Sequence, residues 1–577
     1  MTVEGEFDVV IVGSGAGGMT AALAAHNRGL SCVVIEAQNR YGGATAVSGG
    51  IVWIPANHVL KREGSSDTPE LASTYFDATV GERVSKARRD SFLQDGPRML
   101  SELEQASRWF RFHWAKGYPD YYPELPGGLT EGRSIAPELL DARELGGDLP
   151  LMNPPIATMA LKGLSITPAD FHDLNMLTRT WRGKRAIFRV LYRTLKGKVS
   201  TPRLTAGRAL VGRLRLAMRD AGIPLYLSTR MTELVTTREQ DGTERVSGVK
   251  VERGGVESEI IARRAVILAS GGFGRSQELR DRYHPAPSKA EWTMSPEGQD
   301  GDGIRAGLQI GADVDLMEKI WGQPSTLVPA DGSDDLRVQF LHIDRASPST
   351  LVVNGEGKRY YNETAPYTEF ADAMYAEHAK GVAPAVPSWM IFDQRGKRRY
   401  MLLRTFPMSR FPKSWTDGGY VKVAQTVEDL AAQIGVPAEQ LKQTLQRYSS
   451  FARTGVDEDF GKGESVYGHY YGDPTLKNPN LAPIDRPPFY AVAVYPGDVG
   501  TKGGLKIDER SRVLTADNRP IPGLYASGNT TGSVMGDTYP GAGSSIGAAM
   551  VNSYSAVLDI VEGNQRASDA DTTAARA

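Results

Sequence analysis

The chain has 577 residues, 40% hydrophobic and 23% charged, enough to bury a sizeable core and too apolar for a disordered chain. Its 67 Lys and Arg against 68 Asp and Glu leave a net charge of -1, so nothing global argues for nucleic-acid binding. The single cysteine, Cys32, excludes a disulfide framework, a Cys-based zinc site and an iron–sulfur cluster, and suits a reducing, cytoplasmic setting.

The first predicted element is a buried parallel strand, Phe7 to Val12 (FDVVIV). Gly13-Ser14-Gly15-Ala16-Gly17-Gly18 follows, then an Ala/Leu-rich helix running toward Gly29. A second strand, Cys32 to Ile35, leads to Glu36. Each residue type answers a need of dinucleotide binding. Gly13 permits the tight turn, Gly15 lets backbone approach a pyrophosphate, and Gly18 lets helix and strand pack. The helix N-terminus faces the phosphates, and Glu36 accepts from a ribose hydroxyl. The acids Glu4, Glu6 and Asp8 stand where a signal peptide would be basic, and no run reaches the ~18 apolar residues of a spanning helix.

A second small-residue stretch, Tyr41 to Gly50, includes Gly43, Thr45, Ala46, Ser48, Gly49 and Gly50 and suits a loop lying against a flat ring system. Further along, about residues 150–205, lies a basic insertion. Between Arg179 and Arg203 there are nine Lys or Arg and no acid, interleaved with Trp181, Phe188, Leu191, Tyr192 and Leu195. In a helix, Arg185, Arg189, Arg193 and Lys196 share one face and Phe188, Leu191, Tyr192 and Leu195 another. That pattern predicts peripheral contact with an anionic membrane, with a solvated charged face over a packed helix as the alternative.

Strands are predicted at Val246–Val251 and Val266–Leu268, the latter running into Ala269, Gly271 and Gly272. Asp302 to Ala312 reads as a helix opening an inserted domain. Thr426 caps a helix to Ile434, Gly435 stops it, and Leu441, Leu445 and Tyr448 face one way on the next. Gly523 to Asn529 is again a strand into a small-residue turn, ending at Gly528 and Asn529. The small, polar tail from Gly563 is predicted to be disordered.

Together these glycine-bearing segments resemble the FAD-binding flavoproteins of the fumarate reductase/succinate dehydrogenase type. The resemblance implies an α/β fold: a Rossmann-like FAD-binding domain built from discontinuous segments, with an inserted α+β catalytic (capping) domain. The expected boundaries are 1–295 and 487–562 for the FAD-binding domain, 296–486 for the cap and 563–577 for the tail. It adds Ala37, Met231, Ser545 and Ile546 to the cofactor-contacting set. No HExxH motif or Cys cluster points to a metal.

The His and Arg arrangement that clamps dicarboxylates in fumarate reductases is missing near the C-terminus. In its place stands Tyr539-Pro540-Gly541-Ala542-Gly543. With Pro119-Asp120-Tyr121-Tyr122, the run Tyr361 to Tyr367 (YNETAPY) and Tyr495 to Gly504 (YPGDVGTKGG), it resembles the 3-ketosteroid Δ1-dehydrogenases. By that resemblance, Tyr539 hydroxyl and Gly543 N–H bind the steroid C3 carbonyl. Tyr367 removes the C2 proton, assisted by Tyr121, and hydride leaves C1 for flavin N5. Tyr118 and Tyr122 are alternatives to Tyr121. The sequence departs from the family at Asp537, commonly His, and at Ala542, commonly Pro. Neighbouring readings are a 3-ketosteroid Δ4-dehydrogenase, a related enoate reductase, or a membrane-surface protein without turnover. With no second dinucleotide fingerprint, a quinone or carrier protein is the expected electron acceptor. Oligomeric state is not legible.

Overall fold

The computed structural model describes every residue except 1, 156–167, 200–202, 240–241, 331 and 575–577. Val9, Val10, Ile11 and Val12 are buried, as a central parallel strand requires. Their strand, Thr2–Val12, lies between Val256–Leu268 and Cys32–Ile35 and runs parallel to both. The sheet extends through Leu225–Tyr226 on one side and through Pro520–Ala526 and Arg512–Leu514 on the other. Strands Thr229–Arg238 and Glu244–Arg253 add antiparallel to Val256–Leu268. Segments from both ends of the chain thus complete one sheet, as the discontinuous Rossmann-like reading expects.

The helix Ala16–His26 follows the glycine turn, and every residue from Ala16 to Ala25 is buried. Its small side chains let neighbouring backbone come close. A Cβ on Gly17 would lie 3.1 Å from Ala549 O, in the last helix.

The inserted half is built on an antiparallel sheet: Leu336–Phe340, Ile320–Pro329, Phe489–Thr501, Ser388–Asp393 and Thr350–Val353, with Val421–Ala424 also on Phe489–Thr501. The helix Val427–Ile434 packs beside it, with Thr426 accepting from Asp429 N at 3.1 Å and Gly435 left-handed at its end. Leu441, Leu445 and Tyr448 of the next helix, Ala438–Thr454, are buried as their spacing predicts.

Three boundaries move. The helix expected to open the cap, observed as Asp302–Gln309, buries Ile304 and Ala306 with Val10 and Val33 of the nucleotide sheet. It therefore belongs to the FAD-binding half, and the cap sheet starts at Ile320. The strand Phe489–Thr501 pairs into the cap, so the return to the nucleotide half follows Thr501, not residue 487. Such pairing is non-local and leaves no mark in local sequence. Finally, the last helix is Ser544–Ala574 and runs on past Gly563, where disorder was expected. Extending a nucleated helix costs little, and Ala, Gln and Arg in the tail favour it.

The basic segment is also corrected in part. It forms the helix Trp181–Val199, but its charge is not unopposed. Arg189 binds Asp170 at 2.9 Å and Asp173 at 2.8 Å, Arg193 pairs with Asp170, Arg182 with Asp173 at 2.6 Å, and Arg179 with Asp473 at 2.6 Å. Asp170 and Asp173 come from the preceding helix, Pro168–Asn175, just upstream of the acid-free window. The inward face is Ala186, Val190 and Thr194, while Trp181 (76% exposed), Phe188 (72%) and Leu195 (61%) point outward. The side chain of Lys196 lies outside the described residues.

Candidate active site

The cleft lies between the nucleotide sheet and the cap. Its nucleotide end is set by backbone. Gly13 has φ +109°, and a Cβ there would sit 2.3 Å from Ala269 O. A Cβ on Gly15 would meet only Thr45 Oγ1, at 3.8 Å, and one on Gly49 nothing within 4 Å, so the turn and the facing stretch leave an open cradle. The N-cap residue, Gly15, offers no capping side chain; Thr45 Oγ1 accepts from Ala16 N at 3.1 Å, and the N-terminus of the helix Ala16–His26 opens toward that cradle. This is an anion-binding arrangement suited to a pyrophosphate. Glu36 ends the next strand. Its carboxylate accepts from Ser14 N at 3.1 Å, Ser14 Oγ at 2.5 Å and Gln38 N at 3.0 Å, and it lines the cleft. The residues present therefore fit FAD.

Most of the residues expected around the cofactor line this one cleft: Gly13, Ser14, Gly15, Ala16, Gly17, Glu36, Ala37, Gly43, Thr45, Ser48, Gly49, Gly50, Met231, Ala269, Gly271, Gly528, Asn529, Ser545 and Ile546. Gly18, Ala46 and Gly272 stand behind its wall. A Cβ on Gly18 would lie 1.9 Å from Gly13 O, so that glycine serves helix–strand packing. One on Gly272 would lie 2.0 Å from Thr501 Oγ1. Ala46 is buried in the core.

In the same cleft the tyrosines converge. Tyr367 opens the cap helix Tyr367–Ala379, Tyr121 comes from the first segment and Tyr539 from the last. Ring centroids are 5.3 Å apart for Tyr121–Tyr367, 5.1 Å for Tyr121–Tyr539 and 5.4 Å for Tyr367–Tyr539. The hydroxyls of Tyr121 and Tyr367 are 2.7 Å apart. Tyr118, one alternative to Tyr121, reaches Tyr121 hydroxyl at 3.3 Å and Tyr471 hydroxyl at 2.6 Å. Tyr122, the other, turns away and accepts from Tyr539 N at 3.4 Å.

The loop carrying Tyr539 is tied at several points. Pro540 O accepts from Tyr121 N at 3.0 Å and from Tyr75 hydroxyl at 2.6 Å, and Ala542 O from Ser134 Oγ at 2.8 Å. Gly543 has φ +91°, and a Cβ there would fall 2.1 Å from Ile51 O. Only glycine brings that backbone so close.

Burial pushes all three tyrosines up, Tyr121 and Tyr367 well above the ordinary phenol range. Tyr539 is raised by burial but is partly relieved by Ser545, by Tyr367 and by the amides of Gly543 and Ser545. Donors thus already converge on the Tyr539 oxygen, and the same donors can stabilise a charge beside it. Sequence reasoning missed Trp321, Gln323, Phe340 and His342, which also line the cleft from the cap. No motif marks them; strand pairing across the cap brings them there.

Comparison with known proteins agrees with this arrangement. Residues 8–546 match the FAD binding domain family. The 3-oxosteroid 1-dehydrogenase of Mycobacterium tuberculosis is 45% identical over 97% of this chain and 99% of its own. That of Comamonas testosteroni is 35% identical over 97% of each. The crystal structure of 3-ketosteroid Δ1-dehydrogenase from Sterolibacterium denitrificans in complex with 1,4-androstadiene-3,17-dione superposes with a TM-score of 0.90. It is 37% identical and covers 97% of this chain and all of that one.

Proposed function

The chain belongs to the 3-oxosteroid 1-dehydrogenase family of FAD-binding flavoproteins, and on that premise we propose how its tyrosines divide the 1(2)-dehydrogenation of a 3-ketosteroid. The reaction is FAD-dependent, and the bound flavin supplies the hydride acceptor for C1, at N5. Everything else falls to side chains and backbone of the protein.

Tyr539 hydroxyl and Gly543 N–H hold the C3 carbonyl. A C2 proton is too weakly acidic to leave unless the developing enolate is stabilised, and two donors at that oxygen do so. Tyr367 takes the C2 proton at its hydroxyl oxygen. A buried neutral phenol is a poor base, so it must pass on its own proton as it accepts the new one. The hydroxyl of Tyr121, 2.7 Å away, takes that proton while releasing its own along the hydroxyls of Tyr118 and Tyr471, in steps of 3.3 Å and 2.6 Å. Burial of the three rings keeps water from the enolate. The carrying observation is that three tyrosines from three separated segments meet within 5.4 Å, in the same cleft as the glycine turn.

Anaerobic addition of a 3-ketosteroid to the holoenzyme tests the reading. Bleaching of the flavin with a 1,2-double bond in the product supports it. A 4,5-double bond would instead assign a Δ4-dehydrogenase, and an unbleached flavin a protein without turnover.

Two partners complete the proposal. The outward face of the helix Trp181–Val199 rests on an anionic membrane surface. Trp181, Phe188, Leu191 and Leu195 are exposed there, and the exposed Lys184 and Arg185 lie alongside them. Among the described residues no helix is long and apolar enough to cross a membrane. The electron acceptor is a quinone or carrier protein, in keeping with a single dinucleotide fingerprint and a membrane-facing helix.

A further inference from the structure

Lys502 follows directly on the last residue of the cap strand Phe489–Thr501 and is 1% exposed. Its ammonium donates to Asp537 O at 2.9 Å and to Thr538 O at 2.7 Å. These are the two peptide carbonyls immediately before Tyr539. The ammonium also lies 4.8 Å over the ring of Trp321, which meets the Tyr539 ring edge-on at 4.9 Å. Trp321 Nε1–H in turn donates to Asn529 Oδ1 at 2.9 Å, in the nucleotide half. One buried cation therefore touches the Tyr539 loop both through its backbone and through an aromatic neighbour.

Stability alone does not account for such a cation. Taking an ammonium out of water costs several kcal/mol, and an apolar side chain of like volume is often neutral or stabilising in its place. What the position gains is a positive charge one aromatic ring removed from Tyr539, the residue at whose hydroxyl the carbonyl is bound.

We propose that Lys502 is a positioning residue for the carbonyl-binding pair. It fixes the Tyr539 hydroxyl opposite the Gly543 amide by holding the two carbonyls that precede it, and its charge favours the enolate formed there. The inference rests on the reading of Tyr539 given above.

Its titration separates the two contributions. Burial brings the Lys502 ammonium down to about 7. The charged groups facing it are Asp372 and Glu369 of the helix Tyr367–Ala379, Asp537 of its own contact loop, and Lys319 at the entry to the cap sheet. Above about 7 the charge goes, but a neutral amine still has two N–H bonds to give the two carbonyls. Raising the pH thus removes the field and keeps the pin, whereas Lys502→Met removes both.

The test is steady-state turnover of a 3-ketosteroid by FAD-loaded enzyme across neutral and alkaline pH. In the parent, kcat falls through an inflection near the Lys502 titration. Lys502→Met lowers kcat about tenfold or more at neutral pH, the scale of a sub-ångström misplacement, and its inflection disappears. Its KM, its FAD content and its melting temperature stay at or above the parent's. Lys502→Arg keeps the charge and moves the inflection out of range. A Met variant with parental kcat and inflection overturns the proposal. So does one whose only defect is loss of fold and FAD, if the parent's inflection also has the shallow temperature dependence of a carboxyl instead of the steep one of an ammonium. Tyr539→Phe is assayed alongside. If it is impaired and the Met variant is not, the Lys502 inference alone fails; if it keeps parental turnover, the reading of Tyr539 fails with it.

Discussion

The hydroxyls of Tyr367 and Tyr121 lie 2.7 Å apart although 246 positions separate them in sequence. One is the first residue of a cap helix and the other stands in an irregular segment of the nucleotide half. The proposed base and its proposed relay partner are therefore brought together only when cap and nucleotide domain pack together. Beyond Tyr121, the Tyr118 hydroxyl at 3.3 Å and the Tyr471 hydroxyl 2.6 Å further on continue the chain of hydroxyls.

Tyr367→Phe removes the atom proposed to accept the C2 proton and leaves the proposed carbonyl site intact. Turnover should fall by about 10²–10⁴-fold, the range of a lost general base, with steroid affinity little changed. Tyr121→Phe removes the relay partner on which the Tyr367 step depends and should lower turnover by about tenfold or more. Stopped-flow flavin reduction reads both. A Tyr121→Phe loss larger than that of Tyr367→Phe would reverse the two assignments.

Tyr539→Phe deletes one of the two donors proposed for the C3 oxygen, so kcat should drop by about 10²-fold or more. Gly543→Ala perturbs the second donor differently. Its Cβ would meet Ile51 O at 2.1 Å, at a φ of +91°, so the amide must move. This variant should lose activity and also lower the melting temperature, whereas Tyr539→Phe should leave melting nearly unchanged. Parental turnover in Tyr539→Phe would remove Tyr539 from the mechanism.

The nucleotide half was legible because its constraints are local. Gly13, Gly15 and Gly18 stand in one turn within a single strand–helix–strand stretch, Gly18 packing on Gly13 O itself, and Glu36 ends the next strand. The tyrosines were legible through motif resemblance, and only the folded hydroxyl geometry separates Tyr121 from Tyr118 and Tyr122. Trp321 and His342 were not legible, nor was the contact of Lys502 with the Tyr539 loop although Lys502 stands in the motif Tyr495 to Gly504, because cap strands pair across more than a hundred residues. The charge of the basic helix was misjudged for a related reason. Its partners Asp170 and Asp173 lie just outside the counted window, and Asp473 lies far along the chain.

Glu36→Gln keeps the size of the side chain and removes the charge that accepts from Ser14 and Gln38. A hydrogen bond to a charged group contributes about 1.5–3 kcal/mol, so FAD affinity should weaken by roughly 10- to 100-fold. Equilibrium titration of apoprotein with FAD measures this directly. Undiminished affinity would mean that the carboxylate holds the Ser14 turn and does not reach the ribose.

His342 lines the cleft with its Nδ1 unpartnered among the described residues, and its ring meets Tyr367 edge-on at 6.2 Å. Burial, with Arg404 and Arg345 nearby, brings the imidazole down to about 3. The lowered value means that the proton is already gone above about pH 3, so no limb of a pH–rate profile belongs to this histidine. His342→Phe should change KM for steroids that differ in polar substituents and leave the profile's shape alone. A limb that vanishes in this variant would show that the imidazole titrates during turnover.

The helix Trp181–Val199 buries Ala186 and Val190 but leaves its larger apolar side chains outside. Arg189 and Arg193 face acids of the protein, and Phe188 and Leu195 face out. Salt should therefore weaken membrane binding only in part, because the paired arginines contribute little and burial of exposed apolar surface contributes most. Trp181→Ser, Phe188→Ser and Leu195→Ser combined should abolish sedimentation with anionic vesicles, while turnover of a soluble steroid stays parental. Replacing the exposed Lys184 and Arg185 by Gln should reduce sedimentation only on anionic lipid, since those charges act on the surface potential. Equal pelleting of the triple Ser variant and the parent would leave this helix without a membrane role.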